Sequence, residues 1–283
     1  MAIRPLRHLI SANDLASIID DPNVRVIDTG WYIDNPSQGR KDYDEGHIPG
    51  AVYASLDEHL SGHIGAGRHP LPSPHAFGMA LGELGIEPWN DVVVYDQRGG
   101  AIASRLWWML TAQGHESVAV LDGGIQAWVA AGQSLEHGQM PDIPHPDAGQ
   151  YPTIGWTGVV SRHDVAQRSM SVSVIDARSG ERYRGEEEPI DLVAGHIPGA
   201  LSVPLTDNLA DDLTFLPKEV LAARVDDLGI DSGAVISQCG SGVTACHNIL
   251  AMEIAGIERP ALYVGSWSDW SVSGLPIATG GAP

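Results

Sequence analysis

The six residues GHIPGA stand at 46–51 and recur unchanged at 195–200. Upstream of each copy lies a short β-branched run that closes on aspartate, Val26-Ile27-Asp28-Thr29 in one half and Val174-Ile175-Asp176-Ala177 in the other. Downstream, each half carries a helix-like stretch ending in Leu-Gly-Ile, at 84–86 and at 228–230. A second apolar run follows, Val92-Val93-Val94-Tyr95 or Val235-Ile236-Ser237-Gln238. Each half then closes on a glycine turn and a tryptophan, LDGGIQAW (121–128) or YVGSWSDW (263–270). Order and spacing are shared from end to end, so the chain is a tandem duplicate.

Within each half, short strands alternate with helical stretches, expected over 11–19, 74–84 and 101–113, then over 161–168, 218–228 and 244–255. Such alternation implies an α/β fold of two tandem domains, each a parallel sheet flanked by helices on both faces. The domains are expected at 1–132 and 156–283, with a linker at 133–155. The stretch QSLEHGQMPDIPHPDAGQYP (133–152) has four prolines and no sustained periodicity, which suits an exposed connector. In sheets of this kind, ligands collect at the carboxyl ends of the strands, where helix N-termini point.

The bulk numbers narrow the function. At 283 residues the chain accommodates two domains, and its 43% hydrophobic content reads as globular. No stretch approaches the roughly 20 apolar residues of a membrane span, and the N-terminus lacks the pattern of a signal peptide. A formal charge of −20, with only 16 Lys and Arg scattered along the chain, argues against a nucleic-acid partner. If the substrate is an anion, positive potential must be assembled locally. The two cysteines, Cys239 and Cys246, fall on one expected helix and its leading loop. No disulfide framework is expected, and a reducing cytoplasm is the expected location.

Cys239 heads the loop CGSGVT (239–244), between an expected strand and an expected helix. If Gly240, Ser241, Gly242, Val243 and Thr244 curl around the sulfur, their N–H groups form an anion-binding nest at a helix N-terminus. That setting lowers a thiol pKa from about 8.5 and favours a standing thiolate. Cys246, mid-helix and without flanking glycines, reads as a small core residue. The position matching Cys239 in the first half is Asp96, in VVVYDQRGGAIASR. A carboxylate is no sulfur nucleophile, so the first half is expected to be catalytically silent.

These features resemble the two-domain sulfurtransferases built from tandem rhodanese modules. The two GHIPGA copies, the GSWSDW close at 265–270 and the six-residue loop at 239–244 carry the likeness. The loop is similar to that of the members that use 3-mercaptopyruvate. The thiosulfate-using members typically carry basic residues after the cysteine, where this chain has glycine and serine. The resemblance implies that Cys239 takes a sulfur atom from 3-mercaptopyruvate as a persulfide, releases pyruvate and passes the sulfur to cyanide or a thiol. A thioredoxin-like reductant is a further candidate partner. No cofactor and no metal are expected. The resemblance also pairs Ser241 with a histidine and an aspartate from the first half, here His69 and Asp57, as a proton relay. It gives Arg182 the task of gripping the substrate carboxylate, with Arg184 as alternate.

One departure bears on the donor. A second arginine is expected after Glu-Pro, upstream of the second GHIPGA, but the chain reads Glu188-Pro189-Ile190. Arg68 is the candidate to compensate, and thiosulfate:cyanide sulfurtransfer is the alternative activity. His47 and His196 occur in both halves, the silent one included, and read as loop braces. Trp128, Trp267 and Trp270 read as core. A Cdc25-like phosphatase would need arginine six residues after the cysteine, where Ala245 stands. A rhodanese-type binding or regulatory module would have no need of Cys239.

Overall fold

The computed structural model describes residues 5–140, 151–230 and 234–283. Residues 141–150 of the expected linker lie outside them. The chain forms two compact units. The first contains β1 (Arg7–Ile10), α1 (Ala12–Ile18), β2 (Val24–Asp28), α2 (Gln38–Glu45), β3 (Val52–Tyr53), α3 (Pro74–Glu83), β4 (Asp91–Tyr95), α4 (Ala103–Ala112), β5 (Val118–Leu121) and α5 (Gly124–Ala130). The second contains β6 (Val159–Val160), α6 (Arg162–Ala166), β7 (Ser173–Asp176), α7 (Gly180–Arg184) and β8 (Ala200–Ser202). A 3-10 turn at Leu205–Asn208, α8 (Lys218–Asp227), β9 (Val235–Gln238), α9 (Ala245–Ala255), β10 (Ala261–Tyr263) and α10 (Ser266–Trp270) complete it.

Both sheets are wholly parallel and share one topology, β1-β5-β4-β2-β3 and β6-β10-β9-β7-β8. The register repeats as well: Asp28 lies beside Tyr95, and Asp176 beside Gln238. The residues that follow Tyr95 and Gln238 are Asp96 and Cys239, so both loops leave the same strand end.

Local chemistry sets the helix starts. Ser11 and Ser73 accept hydrogen bonds from Asp14 N and Ala76 N at 3.1 Å, and Ser161 with Asp164 forms a capping box. Pro74 sits where its missing N–H costs nothing. In the second unit, neighbouring strand residues bury on opposite faces. Ile236 packs with Val165, Tyr183, Trp267 and Trp270, while Val235 packs with Val225 and Met252. Helices α6, α7 and α10 therefore cover one face, and α8 and α9 the other. Trp128, Trp267 and Trp270 are core residues.

The brace reading of the GHIPGA histidines is repeated in detail. His47 stacks on Tyr43 with centroids 3.9 Å apart, and His196 on Tyr183 at 3.8 Å. Each Nδ1 lies 2.8 Å from the carbonyl oxygen of its tyrosine.

Two short segments group with the unit opposite to the one their position in sequence suggests. Residues 63–71 belong to the second unit and 211–215 to the first. Phe215 N donates to Asp122 in the first unit, and Arg68 N to Ser268 Oγ at 3.0 Å in the second. Each contact lies at the glycine turn that closes its unit. The described ends of the expected linker, 133–140 and 151–155, group with the first unit, where Glu136 pairs its backbone with His47 and Tyr151 is buried against His115.

Candidate active site

The loop at 239–244 springs from β9 and ends at α9, which begins at Ala245, one residue later than expected. The sulfur of Cys239 accepts a hydrogen bond from Gly242 N at 3.1 Å. The turn that allows this approach has Gly242 at φ +77°. A Cβ there would stand 2.4 Å from Val264 O, so only glycine fits. Cys239 is buried, and Cys246 is buried beneath the loop with its thiol 3.5 Å from Gly242 O. That position matches the core role expected of Cys246.

Helix α10 fixes the loop from one side. Trp267 N donates to Cys239 O and Ser268 N to Gly240 O, both at 2.9 Å. Cys239 N donates in turn to Ser266 Oγ at 3.1 Å. Ser266 has φ +51°, a left-handed conformation that costs a side-chain-bearing residue about 1–3 kcal/mol. The first unit places Gly124 at the matching position, with φ +57°. The unit with the cysteine accepts that strain and gains a hydroxyl that accepts from the cysteine's own amide. Sequence reading overlooked Ser266, although the contrast of GG with GS in the two closing turns was its visible signal.

Ser241 Oγ and His69 Nδ1 lie 2.8 Å apart, both buried in the second unit. His69 arrives there because residues 63–71 pack on that unit. Asp57, expected in the same relay, belongs to the first unit and accepts from Trp31 Nε1 at 3.0 Å. Of the neighbouring histidines, His59 Nδ1 accepts from Ser55 N at 2.9 Å, and burial pushes its pKa down.

The arginines form a layered cluster. Arg178 grips Asp176 through Nη2 at 2.6 Å and Nε at 3.1 Å, and its guanidinium carbon sits 4.6 Å from the Trp267 ring centroid. Burial alone would lower its pKa. The charges of Asp176 and Glu188, with a smaller contribution from Cys239, outweigh that and raise it. Arg182 donates to Glu188 at 2.6 Å and to Asp191 at 3.3 Å. Burial pushes the Glu188 carboxyl up, but the Arg182 hydrogen bond and the N–H groups of Asp191 and Ile190 hold it below the usual range. Arg184 pairs with Glu181 and Glu186 among exposed side chains. A Cβ on Gly240 would lie 3.6 Å from both terminal nitrogens of Arg182, so the arginine expected to hold substrate stands beside the loop.

In the first unit the matching loop is already filled. Asp96 Oδ1 accepts from Arg98 N and Gly100 N, and Oδ2 from Ile102 N and Ala103 N, at 2.7–2.9 Å. The nest is present there, and a carboxylate of the chain occupies it. Beside it Asp28 is fully buried, and burial, with a small push from Asp96, raises its pKa to about 7. The position of Arg178 is taken by Gly30, with the Gln97 side chain filling the space.

The rhodanese-like domain family matches residues 11–131 and again 161–273. The chain belongs to the rhodanese family. Among curated relatives, a Pseudomonas aeruginosa protein named "Probable 3-mercaptopyruvate sulfurtransferase" is 41% identical, over 96% of this chain and 98% of that one. A Mycobacterium tuberculosis protein named "Putative thiosulfate sulfurtransferase SseB" is 43% identical, over 93% of each. The solved 3-mercaptopyruvate sulfurtransferase of Escherichia coli superposes with a TM-score of 0.79 at 34% identity, covering 92% of this chain and 98% of that one. The relatives' names divide between two sulfur donors, so for this rhodanese the donor has to be argued from the loop and its partners. Among the described residues, no helix is long and apolar enough to cross a membrane.

Proposed function

We propose that the protein transfers sulfur from 3-mercaptopyruvate to a thiophilic acceptor through a persulfide on Cys239, releasing pyruvate. Attack of the Cys239 thiolate on the donor's sulfur forms the S–S bond and breaks the C–S bond, whose electron pair leaves on carbon as pyruvate enolate. That carbon must then take up a proton. The observation that carries the donor reading is the 2.8 Å contact between His69 Nδ1 and Ser241 Oγ, two residues from the nucleophile. It supplies a path for the proton that the enolate requires and that sulfite, leaving from thiosulfate, does not. Asp57 is proposed as the third member of the relay.

In the second half-reaction cyanide or a thiol, a thioredoxin-like reductant among the candidates, attacks the outer sulfur and restores the Cys239 thiolate. Arg182 holds the donor carboxylate, and the backbone of Gly240, Gly242, Val243 and Thr244 lines the anion's seat. The two free cysteines fit a reducing compartment, the cytoplasm. Thiosulfate remains the second reading, favoured by the name of the M. tuberculosis relative.

Steady-state rates with both donors, cyanide as acceptor, separate the two. Wild type should prefer mercaptopyruvate. Ser241→Ala and His69→Ala should each lose roughly 10²–10⁴-fold with mercaptopyruvate and far less with thiosulfate, and the double variant should lose no more than the worse single one. Equal losses with both donors, or faster turnover of thiosulfate by wild type, would overturn the donor assignment.

A further inference from the structure

Arg68 lies one residue before His69, on the segment that packs with the second unit. Its backbone is pinned there. Arg68 N donates to Ser268 Oγ at 3.0 Å, and Gly67, at φ +79°, lies so close to Gly265 that a Cβ would fall 2.4 Å from its oxygen. The side chain reaches the loop. Nη1 donates to Asp191 Oδ1 at 2.7 Å, and Nη2 lies 3.2 Å from where a Cβ of Gly240 would stand. Arg182 takes the other oxygen of the same carboxylate, Asp191 Oδ2, at 3.3 Å, and lies 3.6 Å from that same Gly240 position. Two guanidiniums thus share one carboxylate and flank the glycine next to the nucleophile. Asp191 is nearly buried, while Arg68 and Arg182 keep 28% and 14% of their side-chain surface exposed, so an arriving anion meets the cations.

We infer that Arg68 is the second arm of the donor clamp, gripping the donor's anionic end together with Arg182. Asp191 sets the two guanidiniums at a fixed separation, which suits the planar bidentate recognition of a carboxylate. Position 190 brings no charge, so a second cation at the loop comes from Arg68. This inference rests on the sulfurtransfer reading for the identity of the donor, but the anion grip can be tested without turnover.

Two readouts on the full-length chain test it. In Arg68→Gln, KM for mercaptopyruvate should rise roughly 10- to 150-fold, the loss expected for a charged hydrogen bond, with kcat changed less than about threefold. Alkylation of Cys239, mapped by peptide mass, should slow about tenfold with anionic iodoacetate and stay nearly constant with neutral iodoacetamide. An unchanged KM, or equal slowing with both reagents, would make Arg68 a staple for residues 63–71 and overturn the inference. Should Arg68→Gln fail to fold, Arg68→Lys keeps the charge without the fork. It should retain the iodoacetate preference and still raise KM several-fold, and an unchanged KM there also overturns the inference. Charge-selective alkylation in a wild-type enzyme that takes no sulfur from mercaptopyruvate would uphold the grip and discard the donor.

Discussion

The two strand-to-helix loops, 96–102 and 239–244, are built alike and used differently. In the first unit the loop amides converge on Asp96, which spends both carboxylate oxygens on four N–H groups. In the second, a sulfur stands at the matching position and accepts from Gly242 N, and two guanidiniums flank the neighbouring Gly240. Both loops thus turn backbone donors toward the residue at their head, four N–H groups toward Asp96 and that of Gly242 toward Cys239. Their surroundings differ in the same sense. Asp176 is paired with Arg178, while Asp28 is buried beside a second carboxylate with glycine in the arginine's place. One unit fills its loop with a carboxylate, and the other places a buried thiol there.

The strongest way to break the comparison is to remove the charge from the filled loop. Asp96→Asn turns an N–H2 toward one pair of donors whichever way the amide is placed. Two buried N–H groups left without an acceptor should cost roughly 2–6 kcal/mol, read as a fall in the urea midpoint. A midpoint within experimental scatter of wild type would mean that the four bonds are not what holds this loop.

Asp28 gives a pH signature to the first unit. Its carboxyl moves from 3.8 in the unfolded chain to about 7 when buried, which corresponds to about 4 kcal/mol. The stability tied to its neutral form is complete below pH 4 and is lost as pH rises through 7. Asp28→Asn should therefore unfold later than wild type at pH 8, by up to that amount, with the gap closing toward pH 4. A gap that does not vary with pH would contradict the assignment to Asp28.

At the 239–244 loop, Arg182→Ala should lower kcat/KM for mercaptopyruvate by roughly 10- to 150-fold, from about 1.5–3 kcal/mol of charged hydrogen bonding. No change would move the donor's carboxylate elsewhere. The smallest effect sharpens the comparison of the closing turns. Ser266→Ala removes the acceptor for Cys239 N while keeping the strained φ, and should cost about 1 kcal/mol of stability and a few-fold in rate. Ser266→Gly restores the residue type found at Gly124. It should recover the stability but not the rate, and recovery of both would leave the hydroxyl with no part in the reaction.

Much of the fold could be read in advance because duplication doubles every signal. GHIPGA, the β-branched runs ending at Asp28 and Asp176, and the Leu-Gly-Ile helix ends each occur twice, and they gave both sheets and both loops. Cys239 was visible because strand, glycine loop and helix follow in order, and Ser241 follows from Cys239. What escaped were relations across long sequence distances. The resemblance pairs His69 with Ser241 and offers Arg68, but nothing local says that the whole segment 63–71, inside the first half, groups with the second unit. Asp191 sits in the acidic run EEEPID (186–191), where nothing local marks it as the carboxylate that Arg68 and Arg182 share. Asp96 was legible as a lost nucleophile but not as the occupant of a nest, because the amides it binds become a cradle only once the backbone has turned.

The central claim is that Cys239 carries the transferred sulfur. Incubation with 3-mercaptopyruvate and no acceptor, followed by digestion and mass analysis, should add one sulfur, about 32 Da, to the Cys239 side chain, with pyruvate released in equal amount. Added cyanide should remove that mass, and Cys239→Ser should show neither mass nor turnover while melting within about 3 °C of wild type. A sulfur found on Cys246, or turnover that survives in Cys239→Ser, would contradict the account.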